Sequence, residues 1–203
     1  MQRWKGTAAF VIIAVIVIYH VGVGLSWFPA YWETVDSMKT TAKEAYSIAS
    51  SYALAGEPQA YLGLIVMERS LSDDGKALEW RFVFCAPDGR YIVVYVNKHE
   101  VTRDDDPSEA WEQATIGKNT REPLGEWVDT PVFVEDAFSK ARKSLDDQLA
   151  YCIGATLSYD IVKRYKCWRI SIIDHSSKAR GRDYYYNITD GSLIDWEALI
   201  EIG

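Results

Sequence analysis

Two stretches of this sequence begin a strand in the same way: LEWRFVFC at residues 78–85 and KCWRISIID at residues 166–174. In each, apolar residues alternate around a Trp-Arg pair, which is the two-residue period of a β-strand with one buried face. The tryptophans of these pairs, Trp80 and Trp168, are 88 residues apart. This recurrence indicates that the chain contains two copies of one small unit.

The first copy has the pattern of a helix followed by three strands. Thr41 and Glu44 have the spacing of a capping box, and alanines at helical spacing follow as far as Gly56. Beyond it, strand-like runs occupy residues 61–68, 78–85 and 90–97, with Asp-Gly turns between them.

The second copy repeats this order after an acidic, turn-rich connector. Thr130-Pro131 suits a helix start, and Ala137-Phe138 in the following segment corresponds to Ala45-Tyr46 of the first copy. Strands are predicted at residues 155–163, 166–174 and 183–189. Each unit alone would bury only a small apolar face, so the two are expected to dock on each other or to share a continuous sheet.

The first 35 residues have a different character, because no charged residue occurs from Gly6 to Phe28. A stretch of 23 residues is long enough to cross the ~30 Å hydrocarbon core of a bilayer. Arg3 and Lys5 precede it, which predicts a cytoplasmic N-terminus, a single-pass transmembrane helix and an extracytoplasmic remainder. A cleaved signal peptide is the alternative, since Gly22-Val23-Gly24 offers a small-x-small site.

These patterns together predict an α+β fold: an N-terminal transmembrane helix followed by two tandem units, each a helix packed on a three-stranded antiparallel sheet. The predicted boundaries are 1–35 for a cytoplasmic stub, the transmembrane helix and a short stalk, 36–101 for unit 1, 102–129 for the acidic connector and 130–203 for unit 2.

Charge and cysteine content restrict the partners and the covalent framework. The net charge is −7 for the whole chain and −9 for residues 6–203, so the basic surface that nucleic acid requires is absent. Three cysteines, Cys85, Cys152 and Cys167, leave at least one thiol unpaired within the chain. Small buried thiols and a Cys152–Cys167 bridge are both compatible with this pattern.

The sequence contains no recognisable catalytic constellation. Metalloprotease, nucleophile-elbow, dinucleotide-binding and P-loop motifs are all missing. His99 and His175 have no nucleophile or carboxylate at a spacing that implies activation. The acidic run at residues 104–106 lacks the alternating ligands and the glycine of a calcium loop. We therefore expect no enzymatic activity, no cofactor and no metal site.

The helix KEAYSIASSYA, the Trp-led strands and the ending YYYNITDGSLID resemble the PepSY fold unit. Two such units behind one N-terminal anchor resemble the TseB (YpmB-type) cell-wall elongation regulators of Gram-positive bacteria. The resemblance implies a non-catalytic extracytoplasmic binding and regulatory protein that modulates a cell-envelope enzyme such as a class B penicillin-binding protein. The alternative that it implies is an inhibitor or chaperone module for a secreted or membrane peptidase.

Two surface features are candidates for binding such an envelope protein. Tyr184, Tyr185 and Tyr186 are consecutive in a strand, so Tyr185 lies on one face of the sheet and the Tyr184/Tyr186 pair on the other. If one face is covered, either Tyr185 or the pair lies on the other face. An exposed aromatic strip there could hold a peptide by strand addition at the sheet edge. The turn before this strand carries a compact basic patch formed by Lys178, Arg180 and Arg182.

Overall fold

The computed structural model describes residues 36–98, 100–104, 120, 122–160, 163–175 and 180–199. From Lys39 onward the chain forms one compact unit. Its elements, in chain order, are helix α1 (Ala42–Gly56), strands β1 (Tyr61–Leu71), β2 (Ala77–Cys85), β3 (Tyr91–Asn97) and β4 (Val101–Asp104), a 3-10 turn (Thr130–Val132), helix α2 (Val134–Leu145), and strands β5 (Tyr151–Asp160), β6 (Tyr165–Ile173), β7 (Gly181–Asn187) and β8 (Leu193–Leu199).

All eight of these strands belong to one antiparallel sheet, in the order β4-β3-β2-β1-β5-β6-β7-β8. The two halves of the chain meet where β1 pairs with β5, through Ile65 opposite Leu157 and Val66 opposite Thr156. Each half therefore runs outward from the centre, and its last strand is the outermost. The face of the sheet that α1 and α2 cover is called the inner face below, and the opposite face is called the outer face.

Helix α1 begins as its sequence predicts. The Thr41 side chain accepts a hydrogen bond from the Glu44 amide at 3.3 Å, and the Glu44 carboxylate accepts one from the Thr41 amide at 2.8 Å. Four fully buried alanines form the stripe that faces the sheet: Ala42, Ala45, Ala49 and Ala53. Because alanine side chains are short, the helix axis can lie close to the aromatic residues of the inner face.

The two tryptophans that define the repeat occupy equivalent environments. Trp80 and Trp168 are both fully buried, and their rings meet edge to face with centroids 6.3 Å apart. The Trp80 indole donates to the Thr40 carbonyl at 2.9 Å, and the Trp168 indole donates to the Val128 carbonyl at 3.1 Å. Both acceptors lie 40 residues before their donors, so the spacing of 88 residues recurs in the hydrogen bonds.

The segment before α2 also holds the first half of the chain in place. Asp129 accepts a hydrogen bond from the Lys43 amide at 3.0 Å, and the Thr130 hydroxyl accepts one from the Ala42 amide at 3.4 Å. The same hydroxyl donates to the Gly75 carbonyl at 2.5 Å. These side chains accept hydrogen bonds from free amides in the first turn of α1, and Thr130 also bonds the β1–β2 turn. The segment before α2 therefore holds the two halves of the chain together.

We expect Gly75→Ala to lower the free energy of unfolding by about 2–3 kcal/mol, because it adds steric overlap to backbone strain. Gly75 has φ +77°, and a Cβ there would lie 2.5 Å from the Pro131 nitrogen. Gly89→Ala is the matched control, since Gly89 has φ +88° with nothing near its Cβ position. Urea unfolding measures both variants, and equal losses would show that the Pro131 contact is unimportant.

The predicted fold class was wrong. The strands do not form two three-stranded sheets; they form one eight-stranded antiparallel sheet on which α1 and α2 pack. Of the two arrangements that the sequence left open for the repeats, the continuous sheet is therefore the one found. Strands β4 and β8 were not predicted, and β8 lies in what the sequence indicated to be a short tail. Among the described residues no helix is long and apolar enough to span a bilayer, and residues 6–28 lie outside that described part.

The physical reason for the correction is the pairing of β1 with β5. Each strand has backbone donors and acceptors on both sides, so a strand at the border of a small sheet presents an unpaired edge. Here the borders of the two halves satisfy each other. Each half gains a fourth strand at its other side because β3 and β7 both turn back into another strand, β4 and β8 respectively.

Candidate functional site

Strand β8 forms one edge of the sheet, and this edge is the candidate site. A tight turn reverses the chain after β7, with Gly191 at φ +72° donating to the Asn187 carbonyl at 3.0 Å. The Asn187 amide then donates to the Ser192 carbonyl at 2.8 Å, which starts the pairing of β8 with β7. Among the described strands, β8 has a neighbour on this side only, so its other side is open to a further strand.

The inner face of β8 presents an aromatic side chain to solvent. Trp196 is 55% exposed although it stands directly opposite the buried Tyr184. The Arg182 guanidinium lies over the Trp196 ring, 5.5 Å from its centroid, which holds the indole by a cation–π contact. Ile194, the extra residue of a β-bulge, is 44% exposed. Of the described elements, neither α1 nor α2 covers this part of the inner face as it covers the neighbouring strands.

The outer face of β8 is acidic and is tied to the β5–β6 turn. The Lys163 ammonium contacts Asp195 at 2.6 Å and Glu197 at 2.5 Å, and it lies 4.9 Å from the centroid of the Tyr185 ring. The Tyr185 hydroxyl donates to the second oxygen of Glu197 at 3.3 Å. One ammonium thus faces two carboxylates, so this cluster has an excess of negative charge.

Hydrogen bonding in this cluster shifts the pKa values of its members. The bond from Lys163 lowers the pKa of the Asp195 carboxyl below its ordinary value. The bonds to Asp195 and Glu197 raise the pKa of the Lys163 ammonium. Lys163 therefore stays protonated at neutral pH, and it serves as a fixed positive charge rather than as a base or an amine nucleophile.

The structure places the Tyr184/Tyr186 pair on the inner face beneath α2. Tyr184 is 3% exposed, with its hydroxyl 3.4 Å from that of Ser144. Tyr186 is 1% exposed and donates to Asp136 at 3.0 Å. Burial raises the pKa of both phenols. In this arrangement the pair packs the core and does not form an exposed strip; its proposed role in partner binding would require α2 to move.

The basic residues predicted beside this strand have separate environments. The Arg180 guanidinium bonds Asp174 and donates to the Leu145 carbonyl at 3.1 Å, so it fastens the β6–β7 connection to the end of α2. Arg182 lies at the Trp196 ring, and of the two described basic residues it is the one that contacts β8. Lys178 lies outside the described residues.

Trp196 is the residue that the sequence prediction missed. A signal was present, because Asp195 and Glu197 alternate with Trp196 and Ala198 as a two-faced strand requires. The stretch is short and follows an Asp-Gly turn directly, which favours its interpretation as a tail. In the part of the chain that the structure describes, no group of three or more His, Cys, Asp or Glu side chains could hold a metal ion.

Comparisons with known proteins bear on the fold. No protein-family model matches the chain, and no curated protein matches it. The structure is similar to the crystal structure of a "putative lipoprotein" from Clostridium difficile 630, with a TM-score of 0.51 and 13% sequence identity. The match covers 80% of this chain and 95% of the clostridial chain. At this identity the likeness concerns the fold alone.

Proposed function

We propose that this protein is an extracytoplasmic binding and regulatory protein of the cell envelope, and that it docks an extended segment of an envelope enzyme along strand β8. The resemblance of its Trp-led strands to PepSY units supports an envelope role and suggests a penicillin-binding protein as the enzyme. The open edge of β8 is the observation that carries the proposal.

The two edges of the sheet differ in a way that favours β8. Strand β4 has four residues, and its Arg103 donates to the Tyr52 carbonyl at 2.7 Å, so this side chain is fixed against α1. Strand β8 has seven residues and carries the exposed ring of Trp196. Strand addition gains affinity from main-chain hydrogen bonds and specificity from alternate side chains, and a longer edge provides more of both.

The polar groups around β8 also favour binding over catalysis. Glu197 forms an ion pair with Lys163 and accepts a hydrogen bond from Tyr185, and the Lys163 ammonium lies over the Tyr185 ring, so these three side chains form a clamp that fixes the edge strand. Such a clamp keeps β8 in an extended form before a partner arrives. A preformed edge lowers the ordering cost of association.

Co-purification of the full chain from detergent-solubilised membranes of its source tests the proposal. We expect an envelope enzyme to be enriched with the native chain and reduced about tenfold or more with Trp196→Ala, because exposed tryptophans are frequent binding hot spots. Tyr52→Ala is the matched control, since Tyr52 is 49% exposed on α1. Recovery of no envelope enzyme above background, or equal recovery with both variants, would contradict the proposal.

A further inference from the structure

We infer that the segment bound by β8 alternates apolar with basic residues, the apolar side chains lying on the inner face of the sheet and the basic ones on the outer face. This inference rests on the proposed function and adds to it the chemistry of the partner. It follows from the different charge of the two faces at this edge.

The outer face selects for positive charge. Asp195 is 47% exposed and Glu197 is 50% exposed, whereas Lys163, which lies between them, is 17% exposed. The two carboxylates thus remain accessible beyond β8 while the ammonium is largely covered. A strand added to β8 places the Cβ atoms of its outer-face residues about 5 Å from those of Asp195 and Glu197, where opposite charges attract and like charges repel.

The inner face selects against positive charge. A strand added to β8 places its inner-face side chains beside Trp196, whose ring already carries the Arg182 guanidinium. A second cation there would be repelled by Arg182, whereas an apolar side chain would cover the exposed indole. Because strand side chains alternate between faces, the two preferences together require an alternating segment.

A second copy of this chain fits the edge poorly. Antiparallel pairing of β8 with itself about Trp196 would set Asp195 of one copy opposite Glu197 of the other on the same face. Like charges directly opposite each other in a sheet are destabilising. The acidic residues that attract a basic segment therefore also oppose self-association along this edge.

Binding of synthetic peptides to the full chain in detergent tests the inference. The first peptide alternates valine with lysine over seven residues, the length of β8. The second alternates valine with glutamate, and the third is the first peptide with every backbone amide N-methylated, so that neither of its edges can donate hydrogen bonds to β8. Fluorescence anisotropy of a dye on each peptide gives the dissociation constants.

We expect the valine–lysine peptide to bind about tenfold more tightly than the valine–glutamate peptide. The N-methylated valine–lysine peptide should bind no more tightly than the valine–glutamate peptide. Trp196→Ala is expected to weaken the first peptide several-fold, whereas Tyr52→Ala is not. The double variant Asp195→Asn, Glu197→Gln is expected to abolish the preference for lysine. The preference should also shrink at about 1 M salt, because the charges are exposed.

Equal binding of the lysine and glutamate peptides, no binding of either, or unchanged binding after N-methylation would each overturn the inference. Sedimentation of the chain as a dimer that Trp196→Ala dissociates would overturn it too, because the occupant would then be a second copy. These failures are separable from failure of the proposed function. An envelope enzyme captured through Trp196 without a lysine preference would leave the proposed function standing, and a lysine preference without any captured enzyme would remove that function alone.

Discussion

Trp168→Ala is expected to lower the free energy of unfolding by about 3–5 kcal/mol, the range for deletion of a large buried aromatic side chain. Trp168 is fully buried at the centre of the inner face, where its ring lies 5.9 Å from Trp127 and 5.5 Å from Phe133 between centroids. The substitution removes these contacts and leaves the Val128 carbonyl without its indole donor.

Urea unfolding followed by circular dichroism measures this loss. Trp196→Ala is the matched control, because the same deletion at a half-exposed position should change stability by only about 0.5 kcal/mol. Trp80→Ala should cost about as much as Trp168→Ala, since both indoles donate to a carbonyl and both rings are buried. The double variant should lose less than the sum, because the two rings touch. A loss below about 1 kcal/mol for Trp168→Ala would contradict this account.

The second large effect concerns the cysteines, all three of which are free and buried. Burial raises the pKa of the Cys152 and Cys167 thiols to about 12, and it raises that of Cys85 as well. Because the thiolate is the reactive form, ionisation alone should slow modification of Cys152 and Cys167 at pH 8 about 10³-fold relative to the unfolded chain. Timed reaction with an aromatic disulfide reagent, with and without urea, measures the protection.

The Cys152–Cys167 bridge that the sequence left open does not fit this fold. Cys152 stands opposite Ile172, five positions along β6 from Cys167, which corresponds to about 16 Å. The two thiols also point to opposite faces of the sheet, whereas a disulfide requires Cα atoms within about 7 Å. A chain mass two hydrogens below the reduced value, or rapid native-state labelling, would contradict the prediction.

These raised pKa values also give the direction of the pH dependence. The buried thiols favour the protonated form in the folded state, so their contribution to stability is complete below the ordinary thiol pKa of about 9 and is lost as the pH rises toward 12. The raised pKa values of Tyr185 and Tyr186 act in the same direction. The melting temperature should therefore fall between pH 9 and 11, and less steeply when Cys152 and Cys167 are both replaced by alanine.

The local features of the fold could be predicted from sequence because they depend on neighbouring residues. The capping box of Thr41 and Glu44 uses groups three residues apart, and the strands around Trp80 and Trp168 show their period in a few residues. The pairing of β1 with β5 joins residues about 90 positions apart, and nothing in either strand specifies the other. The local sequence pattern therefore could not show whether the two halves form one sheet or two.

The candidate site was predictable only in part, for a related reason. Alternation in the Tyr184–Tyr186 strand shows that its side chains divide between two faces, but the position of α2 decides which face is covered. The helix covers the Tyr184/Tyr186 pair and leaves β8 beyond its reach, so the exposed aromatic side chain is Trp196 instead. Burial here is a property of the assembled layers and not of the strand.

The junction of β1 and β5 has a consequence for the assembly of such a sheet. Two strands with the same place in successive repeats run antiparallel side by side, which is the relation that a two-fold axis imposes on identical subunits. The chain thus has the architecture of a homodimer made covalent. In a symmetric dimer both outer edges would be identical, and an edge competent to bind would occur twice. Joining the subunits in one polypeptide lets the two edges differ: β4 has four residues and its Arg103 bonds α1, whereas β8 has seven residues and carries the exposed Trp196.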